Sequence, residues 1–115
     1  MKEIHLQRAI VEALNYSGCL VWRVNSGLLA IGQGKNRRMF RAGTAGQSDI
    51  QGIHKKTGRF IALEVKLPKR KKYLTDLQEQ FLINIKEARG ITGVATSVEE
   101  ALAIIKKYTK LLEAK

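Results

Sequence analysis

The sequence has one cysteine, one proline and one tryptophan in 115 residues. The lone Cys19 excludes an internal disulfide and a cluster of thiolate metal ligands, so we expect a small buried residue there. No apolar run approaches the roughly 20 residues that cross a bilayer, and the N-terminus lacks the basic and apolar segments of a signal peptide. We therefore expect a protein that works in the cytoplasm without a membrane partner.

Acidic residues are also few. Ten Asp and Glu against 21 Lys and Arg give a formal net charge of +11 and a pI near 10.1. This imbalance indicates a polyanionic partner, of which nucleic acid is the first candidate. Ribosomal and architectural binding proteins share such a charge, so it indicates the partner and not a reaction. The length leaves room for one domain, residues 1–115, with one modest core.

The pattern of apolar residues predicts an α/β protein. Its expected order is helix, strand, long loop, strand, turn, strand, helix, strand and helix. The first helix is predicted at residues 2–16, with Leu6, Ile10, Ala13 and Leu14 on its apolar face. The later elements are predicted as a strand at 19–25, a loop at 26–47, a helix at 75–89, a strand at 91–96 and a terminal helix after Ser97.

Two apolar stretches carry charged residues where charge is costly. Asp49 lies at the start of residues 48–53, and Glu64 and Lys66 end residues 59–66, which have the composition of a buried strand. A carboxylate and an ammonium in such a place must find partners or take part in chemistry. The alternative is an exposed strand end with a surface Glu–Lys pair, worth about 0–1 kcal/mol.

The turn between these stretches decides which residues face each other. A two-residue loop at residues 56–57 would place Asp49 opposite Glu64, and one at residues 57–58 would place it opposite Lys66. Side chains alternate along a strand, so either register gathers all three on one face, with opposed Cβ atoms about 4.5–5.5 Å apart. A slip of one residue would separate them.

Two carboxylates at that spacing suit Mg²⁺ or Mn²⁺, which prefer oxygen ligands. Such an ion would polarise a phosphate, while Lys66 would position or deprotonate a water and offset charge in the transition state. The expected reaction is hydrolysis of a phosphodiester bond. No Ser, Tyr or His stands where a covalent intermediate would need one.

Basic residues cluster on both sides of these candidates. The predicted loop at residues 26–47 holds five glycines and the basic residues Lys35, Arg37, Arg38 and Arg41. A loop of this length is usually functional or disordered, so we expect a flexible flap that binds phosphate, with a solvated loop as the alternative. Its residues 39–41 could pair briefly as a strand. A second basic run follows the Glu64 stretch directly and consists of Lys69, Arg70, Lys71 and Lys72.

At these residues the chain resembles a known family. Ser48-Asp49 followed by Glu64-Val65-Lys66 resembles the signature of the PD-(D/E)xK nucleases, with Ser48 in place of the proline. From Glu3 to about Glu100 the flanking segments are similar to the VRR-NUC branch of that superfamily. The segments that carry this likeness are Glu3-Ile4-His5-Leu6-Gln7, Trp22-Arg23-Val24-Asn25-Ser26-Gly27, Leu74-Thr75-Asp76-Leu77-Gln78 and Gly90.

The resemblance implies a restriction-endonuclease-like core, with a central mixed sheet flanked by helices. It also implies a Mg²⁺- or Mn²⁺-dependent endonuclease acting on branched or flapped DNA, such as a Holliday junction, in replication, recombination or repair. Stand-alone members, from phages and bacteria, are similar to junction resolvases that work as homodimers. No nucleotide cofactor is expected. A non-catalytic nucleic-acid-binding module with the same basic surface is the alternative.

The resemblance assigns roles to further residues. Asp49 and Glu64 would hold the metal, with the backbone carbonyl of Val65 and possible help from Glu3. Glu3 could instead only complement the helix dipole, worth about 0.3–1 kcal/mol. Gln78 matches a glutamine that the family uses near its active site. It is also the last residue of a capping box begun by Thr75, so a purely structural role would explain it too.

Overall fold

The computed structural model describes residues 2–24, 28–31, 34–36, 38–41, 46–70 and 73–113, with the backbone alone at 28–31, 36, 38–41 and 112–113. Its elements alternate in the way expected of an α/β protein. In chain order they are α1 (Glu3–Tyr16), β1 (Cys19–Arg23), β2 (Leu28–Ile31), a 3-10 turn (Gly34–Asn36), β3 (Arg38–Arg41), β4 (Ile50–His54), β5 (Phe60–Val65), a second 3-10 turn (Pro68–Arg70), α2 (Asp76–Glu87), β6 (Ile91–Ala95) and α3 (Val98–Glu113).

Four strands form a mixed sheet in the order β1-β4-β5-β6. The first three are antiparallel neighbours, and β5 and β6 are parallel because α2 connects them across the sheet. The predicted α/β class, with a mixed sheet flanked by helices, is therefore confirmed. None of the helices in the described part of the chain is long and apolar enough to cross a membrane.

One face of the sheet packs against α1 and α3 and forms the main core. Leu6, Ile10 and Leu14 recur along α1 at intervals of four residues and are buried, as the apolar pattern predicted. They meet alternate residues of the strands, including the buried Cys19, together with Ala101 and Ile105 of α3. The opposite face of the sheet packs against α2, whose Leu82 is buried.

The segment predicted as a loop at residues 26–47 contains two strands. Backbone atoms of β2 and β3 pair as an antiparallel ribbon, from Leu28 opposite Arg41 to Ile31 opposite Arg38. The prediction of a loop was wrong because it gave most weight to the five glycines. The apolar run Leu28–Ile31 has the composition of a strand, and residues 39–41 pair as the sequence suggested they could.

The free edge of the sheet at β1 is covered by a side chain. Val21 lies on this edge, where its N–H donates to Asn15 Oδ1 at 2.9 Å and its carbonyl accepts from Asn15 Nδ2 at 3.2 Å. The amide of Asn15 thus pairs with the backbone as a neighbouring strand would. Both outward-facing polar groups of Val21 are satisfied in this way.

Close packing of β1 on β4 depends on Gly52. A Cβ at this position would lie 2.1 Å from the carbonyl oxygen of Leu20 and 2.6 Å from Cα of Val21. Both atoms belong to the backbone, so a rotamer change cannot relieve the contact. Gly52→Ala should lower the free energy of unfolding by about 2–3 kcal/mol, measured by urea denaturation. The neighbouring Ile53→Ala, on an exposed side chain, should cost clearly less, and equal costs would contradict this account.

Candidate functional site

The register of β4 and β5 brings Asp49 opposite Glu64. Ile50 pairs with Leu63 in antiparallel strands, so Asp49, one residue before Ile50, lies across from Glu64, one residue after Leu63. This is the first of the two predicted registers, although the turn is longer than expected. It spans four residues, Lys55 to Gly58, and is closed by the N–H of His54 donating to the carbonyl of Arg59 at 2.9 Å. The register is kept because the four-residue turn is centred on residues 56–57.

Glu64 is a buried carboxylate, with a relative exposure of 1%. Its Oε1 accepts a hydrogen bond from Gln78 Nε2 at 3.2 Å and lies 3.9 Å from Lys66 Nζ. Its Oε2 is buried and has no hydrogen-bond partner within the described residues. The alternative of an exposed Glu–Lys pair is therefore excluded by the burial of Glu64.

Asp49 is held in place by the backbone on both sides. Its Oδ2 accepts from the N–H of Val65 at 2.8 Å, and its own carbonyl accepts from the N–H of Val24 at 2.8 Å. The preceding Ser48 is buried, and its hydroxyl donates to the carbonyl of Ile50 at 3.0 Å. The segment that carries Asp49 is thus fixed between the ends of β1 and β5.

Burial raises the pKa of Glu64 from 4.5 to about 9. The neighbouring carboxyl group of Asp49 adds to this shift, Lys66 opposes it, and Glu3 contributes further repulsion. Two carboxyl groups this close favour a state in which one of them carries a proton. Without a cation, Glu64 therefore holds a proton at neutral pH.

Gln78 makes the contacts that both interpretations of its sequence position require. Its Oε1 accepts from the N–H of Thr75 at 2.9 Å and its own N–H donates to Thr75 Oγ1 at 3.1 Å, which completes the capping box of α2. Its Nε2 donates to Glu64 at the same time. The cap therefore fixes the amide in the orientation that presents its N–H₂ group to the carboxylate.

Oε2 of Glu64 has no hydrogen-bond partner among the described residues, and Asp49 lies across from Glu64, so these two side chains could hold a divalent cation. Glu3 is half-buried in the first turn of α1, where its negative charge interacts favourably with the positive end of the helix dipole. The same charge raises the pKa of Glu64. No group of three or more His, Cys, Asp or Glu with metal-binding geometry occurs among the described residues. Oxygen ligands beyond the Asp49–Glu64 pair would therefore come from the backbone, water or phosphate.

The predicted nucleic-acid-binding residues fall into three groups. Lys35, Lys69 and Arg70 have exposed side chains in the two 3-10 turns. Arg38 and Arg41 are the two ends of β3, where the structure describes the backbone alone. Arg37, Lys71 and Lys72 lie outside the described residues.

The sequence reasoning missed two residues of β1 near the carboxylates. Arg23 pairs with Ile50, one position from Asp49, and its Nε donates to Gln7 Oε1 at 2.9 Å. Trp22 precedes it with an exposed indole. Their signals in the sequence were their place at the end of a strand and within a segment that carries the family likeness, but the pairing of β1 with β4 spans a segment too long to predict.

The raised pKa of Glu64 predicts how stability depends on pH. Between about pH 4.5 and 9 the folded protein keeps a proton that the unfolded chain loses. The free energy of unfolding of the metal-free protein should therefore fall as pH rises, by up to about 1.4 kcal/mol per pH unit. Glu64→Gln should weaken this dependence and stabilise the protein at pH 8, as measured by urea denaturation in EDTA. The exposed Glu12→Gln is the control, and identical slopes in all three proteins would contradict the prediction.

Comparisons with known proteins leave the family open. No family model matches the chain, and no significant match was found among curated proteins. The likeness to PD-(D/E)xK nucleases therefore depends on the motif residues alone, and it contributes to the proposal that follows.

Proposed function

We propose that this protein is a Mg²⁺- or Mn²⁺-dependent DNA endonuclease. One observation carries the proposal: a carboxylate that is 1% exposed, with one oxygen lacking a partner among the described residues, lies against Asp49 and 3.9 Å from Lys66. Burial of a carboxyl group with an unsatisfied oxygen costs on the order of 1–3 kcal/mol, and ionising it there costs more. A divalent cation would remove that cost.

The chemistry assigns a task to each group. Asp49, Glu64 and the Val65 carbonyl would hold a divalent cation, which would supply Lewis-acid stabilisation of charge on the phosphate. Lys66, with a side chain 15% exposed, can orient a water for attack and offset negative charge in the transition state. Its 3.9 Å separation from Glu64 is too long for a hydrogen bond, so its N–H groups are not committed to that carboxylate.

Gln78 and Glu3 have supporting tasks. Gln78 holds one oxygen of Glu64 and leaves the other for the cation. Glu3 adds negative potential near the site, which favours a cation and opposes ionisation of Glu64 in its absence. Both residues are positioning or electrostatic groups in this proposal, and Lys66 is the catalytic side chain.

DNA is the proposed substrate because of the charge of +11 and the exposed basic residues Lys35, Lys69 and Arg70. We further propose a restriction-endonuclease-like core, a preference for branched or flapped DNA, action as a homodimer and a cytoplasmic location in a bacterium or a phage-infected cell. These finer points depend on the motif resemblance. They are consistent with a small basic domain that reads backbone shape rather than base sequence.

Cleavage of labelled DNA tests the proposal directly. Four-way junction, flap, duplex and single-stranded substrates are incubated with Mg²⁺, Mn²⁺ or EDTA. We expect metal-dependent cleavage that falls at least about 100-fold in Asp49→Ala and in Lys66→Ala, because each removes charge stabilisation from the transition state. Asp49→Ala should bind DNA as tightly as the wild type or more so, since a carboxylate near phosphates is lost.

Matched variants separate site effects from charge effects. Glu12→Ala and Lys106→Ala change the same charges at exposed positions and should retain cleavage. Tight DNA binding by the wild-type protein without cleavage in any metal would reject the nuclease. It would favour a nucleic-acid-binding module, which the high positive charge also suits.

The two roles of Gln78 can be separated by one substitution. Gln78→Glu keeps the acceptor that the capping box needs but removes the N–H₂ donor to Glu64, whereas Gln78→Ala removes both. We expect Gln78→Ala to lose about 1 kcal/mol of stability and Gln78→Glu to lose less in saturating Mg²⁺. Both should lower the cleavage rate about 10-fold or more. Full activity in Gln78→Glu would mean that the residue acts only as a cap.

A further inference from the structure

The carboxylates share a face of the sheet with an exposed tryptophan. Trp22 pairs with Gln51, and Gln51 pairs with Ala62, so these three form a row across β1, β4 and β5. Asp49 and Glu64 lie two residues further along β4 and β5 and therefore point to the same face. Two residues of a strand span about 6.6–6.8 Å and neighbouring strands lie about 4.8 Å apart, so Trp22 lies about 8 Å from Asp49 and about 12 Å from Glu64, measured between backbones.

Among the helices that the structure describes, α2 covers this face, and it does so on one side. α2 packs against β5 and β6, and the apolar side chains towards β1 remain exposed. Trp22 is 45% exposed, and Leu20, Ile53 and Phe60 form a second exposed row beyond it. Single exposed apolar residues are common, but a contiguous group on one face marks a binding surface.

The charge around this surface indicates its occupant. Lys66 lies at the carboxylates on this same face, and the whole chain carries +11. An apolar protein surface would offer no negative charge to balance this positive charge. A strand of nucleic acid combines flat π surfaces with a regularly charged backbone, and aromatic side chains are the usual platforms for its unpaired bases.

We propose that Trp22 stacks on an unpaired base of DNA next to the phosphate that Lys66 and a cation on Asp49 and Glu64 would hold. This inference rests on the proposed nuclease function and makes its substrate more specific. A paired base presents only its edge to a protein and cannot lie flat on an indole. The site therefore selects a strand that is single-stranded or unstacked beside the cleaved bond, as at a flap or the branch of a junction.

The single tryptophan of the chain makes the contact measurable. Oligothymidylate is added to the wild-type protein in EDTA, so that binding is observed without cleavage, and intrinsic fluorescence is recorded. We expect quenching that follows the binding curve obtained from anisotropy of a labelled oligomer. Trp22→Leu should weaken binding of the oligomer about 5- to 100-fold, Trp22→Phe should retain most of the affinity, and blunt duplex should bind all three proteins alike.

A second exposed aromatic residue provides the control. Tyr16, 86% exposed at the end of α1, can be changed to Leu, and this variant should bind the oligomer like the wild type. Thermal melting confirms that each variant is folded. Unchanged fluorescence on a saturated complex, or normal affinity in a folded Trp22→Leu protein, would overturn the stacking proposal.

The same proteins distinguish failure of this inference from failure of the proposed function. Metal-dependent cleavage without quenching would reject stacking and leave the nuclease standing. Quenching and loss of affinity in Trp22→Leu without cleavage in any metal would reject the nuclease and leave a single-strand-binding surface. A wild-type protein that binds no DNA would overturn both.

Discussion

The burial of one carboxylate governs the arrangement around it. A carboxyl group at the position of Glu64 is costly to bury unless neighbours donate to it, balance its charge or share its proton, and these neighbours come from separate elements. Gln78 comes from the start of α2, Lys66 from the end of β5, and Asp49 from the residue before β4. These elements must keep their relative positions for Glu64 to remain buried. The site and the sheet are therefore maintained by the same contacts.

Structural and chemical roles coincide at several residues of this site. The hydrogen bond from Val65 N–H to Asp49 extends the connection between β4 and β5, and it also fixes the direction of a candidate ligand. Gln78 ends a capping box and supports Glu64 with the other end of its amide. For these residues, a structural explanation and a functional one are not alternatives. A rigid scaffold that positions reactive groups is what precise chemistry requires.

Local patterns in the sequence predicted most helices and strands, but they did not predict how distant strands pair. The apolar spacing in α1, the capping box at Thr75 and the register that sets Asp49 opposite Glu64 each depend on residues near in sequence. The ribbon of β2 and β3 was not predicted because the five glycines of residues 26–47 were given more weight than a short apolar run. Pairing of β1 with β4 could not be predicted, so the place of Trp22 beside the carboxylates appeared only in the fold. The roles assigned to the site residues remain proposals.

The amide of Asn15 affects how readily the protein would aggregate at high local concentration. A chain with a charge of +11 gathers on any polyanion, where many copies lie side by side at high local concentration. An open strand edge would then serve as a template for sheet growth from one molecule to the next. Because Asn15 already occupies both outward groups of Val21, that edge offers no free pairing site at its centre. A single side chain thus protects this edge against aggregation on a polyanionic surface.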